Sequence, residues 1–115
     1  MTEKCKCAKE SAFGFAGMRQ IQDNVEWMQR QKDTLKEKFD ERAAKGLIKG
    51  SIESTIGRMD EVSRYCDIDT DEVKASLTAA GHSIDSGDYK TAEGHVAEAG
   101  LQFSLLLIRC AGEKE

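Results

Sequence analysis

Four cysteines are the residues of this 115-residue chain best equipped for chemistry: Cys5, Cys7, Cys66 and Cys110. Four thiolates are the preferred ligand set of a tetrahedral structural zinc site, and an iron–sulfur cluster asks for the same count. Cys5 and Cys7 are separated by one residue. On a helix such a pair points to nearly opposite sides, so both can serve one centre only if residues 5–7 are non-helical. Lys4, Lys6 and Lys9 surround the pair, favour thiolate over thiol, and offset the charge of a four-thiolate centre. The expected metal ligands are therefore Cys5, Cys7, Cys66 and Cys110, with zinc ahead of an iron–sulfur cluster. The spacing matches no paired Cys-x-x-Cys signature, so two other readings stand beside this one. Cys66 and Cys110 can be small buried core residues, with the front pair incidental. Alternatively the cysteines are a redox pair or disulfides.

Little else in the chain points to catalysis. There is no Gly-x-Ser-x-Gly, P-loop or dinucleotide-binding glycine pattern, so no catalytic or cofactor-binding residue is assigned. A thiol activity through Cys5 or Cys7 is the one enzymatic option. His82 and His95, with Asp85 and Asp88 nearby, lack the Glu-x-x-His ladder of a di-iron bundle and are expected to be solvated or capping residues.

The elements that must position the cysteines read as helices. The chain has no proline, the residue that most strongly breaks a helix. Met18, Ile21, Val25, Met28, Lys32, Leu35 and Phe39 recur at steps of three and four, the seam of an amphipathic helix. This first helix is expected to reach Lys45, with Gly46 as its C-terminal cap. A second helix, beginning between Leu47 and Ser51 with Ser51 as N-cap, turns Ile48, Ile52, Ile56, Met59, Val62 and Cys66 to one side. A third opens at Asp69, where Asp69 and Glu72 have capping-box spacing, and faces inward with Val73, Leu77, Ala80 and Ile84. Asp88 caps a fourth, whose inner face is Ala92, Val96, Ala99, Phe103, Leu106 and Cys110.

Short central connections favour antiparallel neighbours. The expected fold is all-α: an up-down-up-down four-helix bundle over residues 18–112, preceded by an arm and a glycine-punctuated apolar segment over residues 1–17. In that topology Cys66 and Cys110 reach one end of the bundle, and the arm carrying Cys5 and Cys7 starts there. A first helix running from Ala12 to Lys45 would be roughly 50 Å long at 1.5 Å per residue. It would carry the arm past Cys66 unless the chain bends at Gly14 and Gly17.

Hydrophobic residues make up 39 % and charged residues 33 %, enough patterned apolar content to exclude a disordered chain. A net charge of −4 argues against nucleic acid, which needs a basic face. Residues 1–10 lack an apolar core, and the longest apolar run, Leu105 to Ile108, cannot span a bilayer. The expectation is a cytoplasmic protein with no membrane contact. The fourth helix carries a second apolar stripe, with Leu101, Leu105 and Ile108 extended by Gly94 and Ala97. A helix apolar on two sides contacts a second molecule or is covered by its own chain, here by the Phe13–Phe15 segment. Trp27 lies off the first seam, either as a further anchor or covered by a wide bundle face. The chain reads as a non-catalytic binding or adaptor protein, self-associating as a homodimer or docking a protein partner through its last helix, with a four-cysteine site at one end. The alternative is a thiol redox or metal-handling protein acting through the arm.

Overall fold

The three-and-four periodicity of the apolar residues becomes four helices whose inner faces share one core. The computed structural model describes residues 8–34 and 40–113. Helix α1 spans Ala8–Thr34, α2 Glu41–Cys66, α3 Asp71–Ser86 and α4 Tyr89–Glu113. Among the described residues there is no strand, and the protein is all-α. The core joins Met18, Ile21, Val25 and Met28 of α1 to the inner residues of the other three helices. The largest fully buried side chain is Phe103. Each helix packs on two neighbours: α1 on α2 and α4, and α3 on α2 and α4. The pairs α1–α2 and α3–α4 pack more extensively than the two that join them.

The first two helices divide differently from the sequence expectation. A new helix opens at Glu41, so the first does not reach Lys45; α1 is described to Thr34, and Leu35 and Phe39 of the expected seam lie outside the described residues. Asp40 is the N-cap of α2, its Oδ1 accepting a hydrogen bond from the Ala43 amide at 3.0 Å. Gly46 and Ser51 are therefore interior to α2 and not caps. The physical reason lies in the register. Ala44, Ile48, Ile52, Thr55, Met59, Val62 and Cys66 form one unbroken buried line. A break at Gly46 would have cut it, whereas Gly46 faces open space and costs only its own helix propensity. Ile56, expected inside, is only partly buried because Thr55 takes the seam position.

The N-terminal boundary also moves. α1 begins at Ala8 and runs unbroken through Gly14 and Gly17, so the expected bend is absent. The two glycines serve close packing instead. A Cβ on Gly14 would lie 2.5 Å from Met59 Cε and 3.1 Å from Phe103 Cε2, and one on Gly17 would lie 2.5 Å from Thr55 Oγ1. The Met59 methyl ends a flexible side chain and can give way, whereas Thr55 is short and β-branched, so Gly17 above all is what lets α1 approach α2 here. The length difficulty disappears with the corrected boundaries, since α1 has 27 residues and α2 has 26.

Of the remaining ends, that of α3 moves by one residue: Thr70 and not Asp69 is its N-cap, so the expected Asp69–Glu72 capping box is not formed. α2 stops at Asp67, which takes a left-handed conformation at φ 55°. Asp69 Oδ1 accepts from the Asp71 amide at 2.9 Å, while Thr70 is the N-cap position of α3 and turns its hydroxyl inward to donate to the Met59 carbonyl at 3.2 Å. Gly87, at φ 82°, ends α3 by donating its amide to the Ile84 carbonyl. Asp88 accepts from the Thr91 amide at 3.2 Å and the Thr91 hydroxyl at 2.7 Å, opening α4 as expected.

Candidate functional site

The cysteine end is built by the last turns of α2 and α4. Cys66 is the final residue of α2 and of its buried line, with no exposed surface, and Cys110 sits 8 % exposed at the same inward phase of α4. Gly14, near the start of α1, meets Met59 of α2 and Phe103 of α4. The start of α1 therefore lies beside the approaches to both cysteines. Cys66 and Cys110 are both disulfide-bonded, and no free cysteine is present among the described residues. Cys5 and Cys7 lie outside those residues. Of the three sequence readings, simple burial of free thiols is thus set aside for Cys66 and Cys110. A disulfide sulfur is also not a thiolate ligand, so zinc at these two positions requires prior reduction.

The opposite end carries a polar latch that sequence reasoning missed. The Tyr89 hydroxyl, at the start of α4, donates to Glu41 Oε2 at the start of α2. Lys32 Nζ of α1 reaches the same oxygen at 3.2 Å and lies 5.1 Å above the Tyr89 ring, and Lys45 Nζ stands 4.0 Å from Glu41. The hydrogen bond from Tyr89, opposed by burial and aided by Lys32 and then Lys45, holds the Glu41 carboxyl below its ordinary range. Burial, then the bond to Glu41, pushes the Tyr89 hydroxyl well above its ordinary value. Three helices meet in this cluster. Its members are 9 and 48 residues apart, which no local pattern encodes.

The histidines do not converge. His82 borders a groove between α2 and α3 with Ile52, Ile56 and Asp85, while His95 Nδ1 lies 3.7 Å from Glu98 on α4. Among the described residues no group of three metal-ligating side chains comes together.

The outer face of α4 is open. Leu101 is 61 % exposed, Leu105 46 % and Ile108 66 %, with Gly94 and Ala97 exposed on the same stripe. The Phe13–Phe15 segment does not cover it among the described residues. Phe15 stacks on Phe103, with ring centroids 4.7 Å apart, and the Arg58 guanidinium lies 5.0 Å over the Phe13 ring. Trp27 is 43 % exposed on α1, off the buried seam as its position implies. No helix of the described chain is long and apolar enough to cross a membrane. No protein-family model, curated protein or solved structure matches this chain.

Proposed function

We propose that this chain is a small non-catalytic binding protein that self-associates or docks a protein partner through the outer face of α4. Its four helices form an up-down-up-down bundle. The observation that carries this reading is the exposure of Leu101, Leu105 and Ile108 on a helix whose opposite face is already buried in the core. A contiguous apolar stripe of this kind is costly in water and is the usual mark of an interaction surface. The bundle topology is supported by the four-fold pattern of neighbouring helices, and by Glu41 meeting Tyr89 at one end while Gly14 meets Met59 and Phe103 toward the other. The test is sedimentation equilibrium of the disulfide-intact full chain from micromolar to millimolar concentration. A reversible dimer abolished by Leu101→Asp is expected. A monomer at every concentration that also fails to retain any partner protein on a column would refute the reading.

The disulfide-bonded state of Cys66 and Cys110 favours the thiol redox alternative over a resident four-thiolate zinc site. It also favours an oxidising setting over the reducing cytosol. Equilibration in glutathione buffers separates the cases. A structural disulfide stays oxidised until the potential falls below about −300 mV, whereas an exchanging one titrates within the glutathione range. Zinc handling predicts about one zinc per chain in the reduced protein only.

A further inference from the structure

We infer that α4 pairs antiparallel with α4 of a second copy of this chain, about a two-fold axis at the level of Leu101. The inference rests on the reading of the α4 stripe as the self-association face and adds its geometry.

The exposed stripe is Gly94, Ala97, Leu101, Leu105 and Ile108. Its intervals read three, four, four, three from either end. At 3.6 residues per turn all five positions lie within about 40° of the direction of Leu101. The spacing is symmetric about Leu101 but the sizes are not. The small residues lie on the N-terminal side and the large ones on the C-terminal side. An antiparallel partner brings its small half against the large half of the first copy, twice, as an isologous contact requires. Ile108 then lies at the level of Gly94 of the second copy, and Leu105 at the level of its Ala97. A parallel partner would set large against large at one end and leave a gap between the small residues at the other. Nothing lies within 4 Å of where a Gly94 Cβ would stand, so a neighbouring side chain can enter there.

Charge follows the same symmetry. Glu98 and Arg109 lie on one flank of the stripe, about 60° and 80° round the helix from Leu101. Both are exposed. Glu98 stands about 4.5 Å to one side of Leu101 along the axis and Arg109 about 12 Å to the other. Reversing one copy places Arg109 about 7.5 Å along the axis from Glu98 of the second copy, on the same flank across the helix pair. Helical side chains lean toward their own N-terminus, and in an antiparallel pair these two lean toward each other. The ion pair forms twice by symmetry. The stripe is about 21 Å long.

The experiment is sedimentation equilibrium on the oxidised full chain, with circular dichroism confirming that each variant is folded. All the substituted side chains are exposed. Ala97→Leu is expected to weaken the dimer about tenfold although it adds apolar surface, because it fills the space needed by the large half of the other copy. Glu98→Arg and Arg109→Glu are each expected to weaken it about tenfold, and the double reversal to return it to within about threefold of the parent. Tightening by Ala97→Leu, or no recovery in the double variant, overturns the antiparallel register. If Leu101→Asp still abolishes the dimer in that case, the docking face itself stands. A chain that is monomeric throughout overturns the pairing outright.

Discussion

Replacing Gly17 by alanine tests the close approach of α1 to α2 most directly. In an exposed helical position a glycine-to-alanine change stabilises by about 1 kcal/mol, because alanine loses less backbone entropy on folding. Gly57 is such a position, exposed and with nothing within 4 Å of an added Cβ. At Gly17 the same methyl would sit 2.5 Å from Thr55 Oγ1 and 3.3 Å from Thr55 Cγ2. Thr55 cannot readily turn aside. It is β-branched, 2 % exposed, and its hydroxyl donates to the Ser51 carbonyl at 2.8 Å. The helices must separate or the hydrogen bond must break, and overpacking of this kind costs about 1–3 kcal/mol. Gly57→Ala should therefore stabilise by about 1 kcal/mol and Gly17→Ala should be neutral to about 2 kcal/mol destabilising. The difference between them isolates the packing penalty, since both share the unfolded-state term. Urea unfolding of the oxidised protein measures both at constant m-value. In a Thr55→Ala background the obstacle is gone, and Gly17→Ala should recover the stabilisation seen at Gly57. Equal stabilisation by Gly17→Ala and Gly57→Ala would show that the two helices do not meet at this distance.

The other expectations concern the latch, the core and the disulfides. Because the Glu41 carboxyl is held below its ordinary value of 4.5, its stabilisation is complete above that value and is lost as pH falls through the lower folded value. Glu41→Gln should flatten this acid limb while costing less than about 1 kcal/mol at neutral pH, given the exposure of the cluster. Unfolding free energies between pH 2 and 6 that are parallel for parent and variant would contradict it. Phe103→Ala removes the largest fully buried side chain and should cost about 3–5 kcal/mol in urea unfolding. A loss under about 1 kcal/mol would mean that α4 does not bury this face. Reduction of the bonds at Cys66 and Cys110 should cost about 2–5 kcal/mol. Superimposable urea curves with and without reductant would show that these bonds do not constrain the folded chain.

Much of the fold is legible where a residue's own helix decides its place. The inner faces of α3 and α4 follow from Val73, Leu77, Ala80 and Ile84, and from Ala92, Val96, Ala99 and Phe103, because burial obeys helical period whatever the partner. The start of α4 at Asp88 follows from local capping chemistry. The boundary between α1 and α2 is misread because Lys32, Leu35 and Phe39 extend one apolar pattern and a glycine at position 46 imitates a stop. The competing signal was Asp40 followed by Ala44 in register with Ile48. Gly14 and Gly17 are misread for a related reason. Glycine marks both bends and close contacts, and only the position of a facing side chain distinguishes them. At the site, the inward phase of Cys66 and Cys110 is readable from periodicity, whereas their oxidation state is not. The exposure of Leu101, Leu105 and Ile108 is readable from the surplus of apolar positions on α4.

The unequal packing between helices carries a kinetic consequence. α1 with α2, and α3 with α4, are neighbours in sequence and make the more extensive contacts; α2–α3, equally adjacent in sequence, and α1–α4 are thinner. Contacts close in sequence close small loops and form early. The chain should therefore assemble as two hairpins that dock, with Phe103 and the Glu41–Tyr89 latch engaging at the docking step. Native-state hydrogen exchange would then reveal two cooperative units, and the joint between them, under Ile52 and Gly81, would open before either hairpin unravels.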